Sequence, residues 1–268
     1  MRRSCNLLLL LAVLIGAYMP GTAAAAESVS LHATLTPERL SQGTTIGFAL
    51  EISAPAGQVP SPLTGVDVRY PNNLGIALSG LGLETCSQQI LEVLGSRGCP
   101  VDSRMGYGSA LAKVPIGPEG VSEGASIAVL RAPDQEGHLA LFLYTESVSP
   151  VLAQLVLPGL LLAAKAPFGG LINVNVPLVP SVPGGADVSV IQLQATFGPE
   201  HLTYTEKAHG QTVTYVPKGI LLPDRCPPGG FPFAATLAFL DGTRASARTA
   251  VPCPRSSLRS RRSGPRSQ

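Results

Sequence analysis

The residues of this chain that could do chemistry are few and widely spaced. The stretch "LTYTEKAHG" places Tyr204, Glu206 and His209 close together, and "CPVDSRMGYGSA" places Arg104 before a run of small residues. If the fold brought these together, Glu206 and His209 could exchange protons, Arg104 could clamp an anion and Tyr204 could offer a hydroxyl or a flat ring. That set marks Arg104, Tyr204, Glu206 and His209 as the candidate binding residues. No catalytic residue can be assigned.

The motifs that would sharpen this reading are missing. His32, His138, His201 and His209 fall in no metal-ligand spacing such as H-E-x-x-H, so no metal is expected. "GYGSA" has Tyr107 and Leu111 where a nucleophile elbow around Ser109 needs glycines. "SRMG" has Gly106 where a penicillin-site motif needs lysine. Glu84, Asp102 and Asp241 are carboxylates without a visible partner. "APDQEGH" offers Asp134 and Glu136, too few oxygens for an EF-hand. No phosphate-binding or dinucleotide loop is present, and no cofactor is implied.

Four cysteines carry a different chemistry. Arg2 and Arg3 precede an apolar run from Leu7 to Ala17, and small residues follow up to Ala26. This order is that of a secretory signal peptide covering residues 1–26, with Ala24 and Ala26 at the cleavage site. The run is too short to span a bilayer. Cys5 lies before it and would leave with the peptide. Cys86, Cys99, Cys226 and Cys253 remain, an even number in an oxidising compartment, which reads as two structural disulfides. Cys86 with Cys99 would close a loop of about fourteen residues, worth about 3 kcal/mol in the chain-entropy view. Cys226 with Cys253 would close the base of the last hairpin.

Charge narrows the partners. Between residues 27 and 254 the chain has 12 Lys and Arg against 17 Asp and Glu, a net of −5. A nucleic-acid-binding body would need a basic face. The last fourteen residues, "RSSLRSRRSGPRSQ", carry five arginines and no acid; residues 255–268 read as a basic disordered tail that could touch anionic envelope material. No later segment is long and apolar enough to be a membrane span. The partners left open are an envelope polymer or a surface protein.

The elements that must position these residues are short strands. The chain has 29 Gly and 25 Pro, which punctuate many alternating segments. Val29, Leu31, Ala33 and Leu35 share one face; so do Ile46, Phe48, Leu50 and Ile52, and so do Val66, Val68 and Tyr70. "SQQILEVLG" is the one helix expected, near residues 87–94, with Ser87 as cap, Gly95 as stop, and Ile90, Leu91 and Leu94 as its apolar side. Gly106 and Gly108 leave one face of the next strand bare, for close packing under the helix or for a ligand. "VLAQLVLPGLLLAA" reads as two strands split at Pro158-Gly159. The apolar set after Val188 changes parity, which calls for a bulge near Ile191. The final hairpin is expected to oppose Phe239 to Ala245 and Leu237 to Ala247 across Asp241–Thr243. The fold class expected is all-β and β-sandwich-like, with many short antiparallel strands. Its units would be residues 27–147 and 148–254, dividing between Thr145 and Pro150, or alternatively one large sandwich.

The blocks "GLETCS", "GCPVDSRMGYGSA", "APFGGLINVNVPLVP" and "CPPGGFPFAATLAFLDGTRASARTAVPCP" resemble secreted hypothetical proteins of high-GC actinobacteria, over most of the mature chain. No activity is known for that group. The resemblance implies an extracytoplasmic compartment and a recurring architecture, and it carries over no catalytic residue.

The expectation is therefore a secreted or cell-envelope protein with a structural or binding role, more readily a non-enzyme than an enzyme. The alternative is an extracellular carbohydrate-active or other hydrolytic enzyme. Export has a direct test: N-terminal sequencing of the protein recovered outside the cell should read Glu-Ser-Val-Ser from Glu27. A recovered chain that still carries Leu7–Ala17 would refute cleavage.

Overall fold

The structure is a computed structural model that describes residues 27–55, 58–117, 120–208 and 210–254. The expected signal segment, the basic tail and His209 lie outside the described residues.

Strands with one apolar face form where the alternation demands them. The first three are β1 (Ser28–Thr36), β2 (Gly43–Ser53) and β3 (Leu63–Pro71). Leu31, Ala33 and Leu35 of β1, Ile46, Phe48, Leu50 and Ile52 of β2, and Val66 and Val68 of β3 are all buried. Helix α1 (Gln88–Leu94) follows, then β4 (Arg104–Val114), β5 (Val121–Gln135) and β6 (His138–Ser147). Next come β7 (Ala153–Ala163), β8 (Phe168–Asn175) and β9 (Ser189–Phe197). A separate hairpin, β10 (Tyr204–Ala208) and β11 (Gln211–Tyr215), precedes the short β12 (Ile220–Leu221). The chain ends in β13 (Phe231–Phe239) and β14 (Arg244–Val251).

The expected sandwich of two packed sheets does not form. One continuous sheet runs β1-β2-β9-β4-β5-β6-β7-β8-β3-β13-β14, with β12 appended to β2. It curls until β1 and β14 lie side by side, so the molecule is a nearly closed barrel of eleven strands. The strands on either side of residue 147 are interleaved: β9 sits between β2 and β4, and β3 between β8 and β13. Residues 147 and 148 fall at a hairpin whose two strands pair directly, Ser147 opposite Ala153. The physical reason is burial. A single curled sheet gives every strand one apolar inner face without needing a second sheet to cover it, and it leaves no free edge except at the seam.

That seam has no ladder. Side chains close it instead. Glu27 accepts hydrogen bonds from Ser61 N (3.2 Å) through Oε1 and from Thr243 Oγ1 (2.8 Å) through Oε2. One carboxylate thus ties the start of β1 to the β2–β3 loop and to the β13–β14 turn.

Several local expectations hold and several shift. Ser87 Oγ accepts from Ile90 N (3.3 Å) and Gly95 follows α1. Leu91 is fully buried but Leu94 is 64% exposed, so the helix has a narrower apolar side than its sequence suggests. It packs on the outer wall of the barrel, where Leu91 joins Leu130, Phe142 and Tyr144, and not across an end. The disulfide Cys86–Cys99 brackets it, and Cys226–Cys253 ties the strand end after β14 to the segment before β13. Ile191 is skipped where Leu111 opposes Gln192 and Ala112 opposes Val190, which is the bulge the parity change requires. Gly106 and Gly108 do not lie under the helix. A Cβ on either would overlap the carbonyl oxygens of Thr196 and Gln194 on the neighbouring β9, so close strand approach explains them.

Pro158-Gly159 does not split its segment. Pro158 sits inside β7, opposite Phe142, and pairing with β8 starts only at Gly159. Residues 153–158 therefore pair on one side alone, where a proline without an N–H disturbs nothing. The last hairpin keeps the expected faces but slips by two residues: Leu237 opposes Ala245 and Phe231 opposes Val251. Burial decides parity, and a slip of two preserves it. The turn then forms one position earlier, as a three-residue loop Leu240–Gly242 closed by Phe239 N donating to Thr243 O (3.1 Å), with Gly242 (φ 83°) supplying the left-handed residue and Asp241 Oδ1 accepting from Thr243 N at 2.9 Å.

Because Glu27 holds the seam, Glu27→Ala should cost about 1 kcal/mol and lower the melting temperature by about 2–4 °C. Thermal melts of the chain beginning at residue 27, with and without the substitution, check this. An unchanged melting temperature would show that packing alone closes the seam.

Candidate functional site

The two barrel ends differ. At one end, segments 72–85, 198–208 and 210–230 fold over the opening, and Leu81, Leu202, Tyr204, Ile220 and Leu222 are buried in the core there. At the other end lie the loops β2–β3, β4–β5, β6–β7 and β8–β9. The β8–β9 connection must bridge four strand positions, because β4, β5, β6 and β7 stand between its two strands. Its loop and its neighbours carry apolar side chains into solvent: Val148 and Leu152 are 74% and 75% exposed, Val182 54% and Val59 50%. The β6–β7 loop is pinned from inside. Ser147 Oγ donates to Val151 O (2.8 Å), and the buried Glu123 accepts from Val151 N (3.3 Å).

Between the ends lies a cavity of about 120 Å³. Its walls come from β2, β9, β4, β5, β6, β7, β8 and β3, consecutive around the barrel. Phe48, Phe197 and Ile172 floor it and separate it from a smaller void of about 30 Å³ towards the covered end. The deep lining residues are buried, whereas Ala110, Leu155, Val176, Val190 and Leu193, towards the loop end, are half-buried. The cavity therefore grades outward to the apolar loops.

The void follows from width. Side chains fill a barrel of about eight strands, and an eleven-stranded one encloses more cross-section than they can occupy. The aromatic contacts of Phe48 with Phe197 and Phe233, at 6.1 and 5.4 Å between centroids, collapse part of the interior. What remains leaves the lining side chains without dispersion partners on one side.

One polar side chain stands in this lining: Thr145. Its Oγ1 is buried and has no hydrogen-bond partner. Leaving a buried hydroxyl unpaired typically costs about 1–3 kcal/mol. No sequence signal singled out Thr145. It is one small residue in an apolar strand, and its isolation arises only from which side chains face it.

Of the residues singled out from the sequence, the structure describes Arg104, Tyr204 and Glu206, and no hydrogen bond joins their side chains. Tyr204 is fully buried, and its hydroxyl donates to Arg104 O and accepts from Gly82 N at 3.1 Å. Burial raises its pKa above the ordinary tyrosine value, the nearby Asp102 and Tyr215 add to this, and the Gly82 N–H opposes it. The phenol thus stays protonated and serves as a structural clasp. Asp102 Oδ1 accepts from Thr205 N (3.2 Å) in the same corner. Arg104 is half-buried, and among the described residues its guanidinium makes no hydrogen bond or ion pair. Tyr204 and Asp102, and not the Arg104 side chain, make the hydrogen bonds that hold this corner. Glu206 is exposed on β10 opposite Val213, and His209 lies outside the described residues. Among the described residues no three His, Cys, Asp or Glu side chains converge as they would around a metal ion.

A second concavity, of about 360 Å³, lies outside the barrel over β1, β2, β9 and β4. His32 and Thr34 form one bank, Tyr107 and Ser109 the other, and Gly47 the floor. His201 packs against Tyr107 with ring centroids 5.9 Å apart and the rings inclined at 55°. It is a shallow trough on the outer face, with no buried unpaired group among the described residues that line it.

No helix among the described residues is long and apolar enough to cross a membrane. The barrel also has the reverse polarity of one that spans lipid: its interior is apolar, and outward positions include His32, Glu51 and Arg248. Comparison with protein-family models, curated proteins and solved structures finds no match.

The Tyr204 clasp is testable against Arg104. Tyr204→Phe leaves Gly82 N and Arg104 O unpaired and should cost about 1–3 kcal/mol, whereas Arg104→Ala should stay within about 0.5 kcal/mol. Urea unfolding midpoints decide between them. The reverse ranking would assign the structural role to the guanidinium of Arg104.

Proposed function

We propose that this chain is an exported protein of the extracellular space or cell envelope that binds a small apolar molecule inside its barrel, without catalysing a reaction. The observation that carries the reading is the apolar cavity. Its volume is close to that of an engineered protein cavity of about 150 Å³ that stays dry and binds benzene. It is well below the roughly 300–1,000 Å³ of pockets for drug-sized ligands. The occupant is therefore compact: a single ring, a short branched chain, or the end of a longer chain whose remainder leaves through the loops. The N-terminal export pattern and the two disulfides support the compartment.

The binding test uses the chain from residue 27, with toluene as the probe and chemical-shift changes of the Leu, Ile and Val methyl groups as the readout. Wild type should show saturable shifts centred on Leu143, Ile172 and Val174. Ala110→Leu, which fills the cavity from its half-buried side, should abolish them while the protein remains folded. Absence of saturable shifts in wild type would reject the reading, and so would equal binding by the filled variant. Turnover of a polysaccharide or ester by wild type, lost on changing Glu206, would establish the hydrolytic alternative instead.

A further inference from the structure

The cavity's one hydroxyl specifies its ligand more narrowly, an inference that rests on the binding reading above. Thr145 sits on β6 between Ile127 of β5 and Leu155 of β7 in the ladder. All three line the cavity. The groups flanking the hydroxyl are thus hydrocarbon, and Oγ1 finds no partner in the protein. Valine has the same shape and branching and would occupy this position without burying a polar atom. A trapped water is a poor substitute, because a buried water needs two to four polar partners and the lining provides one side chain. The partner that fits must bring its own apolar body to fill the remaining walls.

We infer that the ligand is a compact hydrocarbon carrying one hydroxyl or carbonyl group, and that Thr145 is the residue that selects it. Thr145 can donate to either group through its O–H and can also accept from a hydroxyl. The polar group lies on the half-buried side of the cavity, level with Leu155, and the hydrocarbon points to the floor formed by Phe48, Phe197 and Ile172. Such a site discriminates by what it leaves unpaired. A pure hydrocarbon fills the volume but strands the hydroxyl, whereas an alcohol, phenol or ketone of the same shape satisfies it.

Toluene and phenol form an isosteric probe pair, methyl against hydroxyl, and Thr145→Val makes the same exchange on the protein. Affinities of both probes for wild type and for Thr145→Val, measured by chemical-shift titration, complete a double-mutant cycle. The expected result is a coupling of about tenfold, equivalent to ~1.4 kcal/mol. Thr145→Val should lose phenol affinity while toluene binds at least as tightly as before. Unliganded Thr145→Val should melt no lower than wild type, since it removes a stranded hydroxyl. A coupling below twofold overturns the inference. So does toluene binding to wild type without any phenol binding, although the apolar-binding reading then survives. If neither probe binds wild type, both fall together.

Discussion

The meeting of β1 and β14 is the contact on which the interior depends. Each strand has a buried face, and every other neighbouring pair along the path is joined by a backbone ladder. At the seam the ladder is missing, and closure is left to packed side chains and to the two acceptor oxygens of Glu27. If that contact opened, the chain would become a broad curved sheet with one apolar side in water. The exposed hydrocarbon would include Phe48, Phe197 and Phe233, and the contact of Phe48 with Phe233, which joins strands that no ladder connects, would be lost. A small number of polar contacts therefore guards a large hydrophobic gain.

Width has a second effect. Eleven strands give the barrel room that its aromatic residues only partly fill, and the unfilled part collects where β6, β7 and β8 face β2 and β9. The covered end is built for rigidity: a buried tyrosine satisfies a backbone carbonyl and a backbone N–H, and Asp102 accepts from Thr205 N in the same corner. The loop end is built otherwise, with apolar side chains held in water and a proline that leaves half of β7 paired on one side. Stability and access are thus placed at opposite ends of one scaffold.

Much of this was legible in the residues, and the boundary of legibility is physical. Alternation at Ile46, Phe48, Leu50 and Ile52 reports which side chains are buried, whatever partner strand lies beside them. The bulge at Ile191 and the cap at Ser87 are equally local. The strand order is not local. Nothing in "IGFALEIS" indicates that it pairs with a strand near residue 195 in addition to its neighbour, and without that pairing a barrel and a sandwich share the same pattern. Pro158 misleads because proline punctuates turns more often than it sits on a half-paired strand. Arg104 misleads because a charged side chain attracts a role, whereas in this corner the main-chain oxygen of Arg104 makes the bond. Thr145 is silent for the opposite reason: its chemistry lies in the lack of a neighbour, and sequence spacing does not show what a side chain fails to meet.

The path of the sheet also governs when the molecule can exist as a folded body. Glu27 and Thr243 are 216 positions apart, and β3, formed within the first third of the chain, waits for β13 to cover its second edge. Hairpins such as β5–β6 can form from local sequence, but the enclosing wall has to wait for the last turn of the chain. A topology so dominated by distant pairings belongs to the slow end of the folding spectrum, milliseconds to seconds even for small domains. Through that interval the incomplete sheet shows bare edges and an open apolar floor. Until its final strand pairs, the chain carries the aggregation exposure of an unfinished sheet.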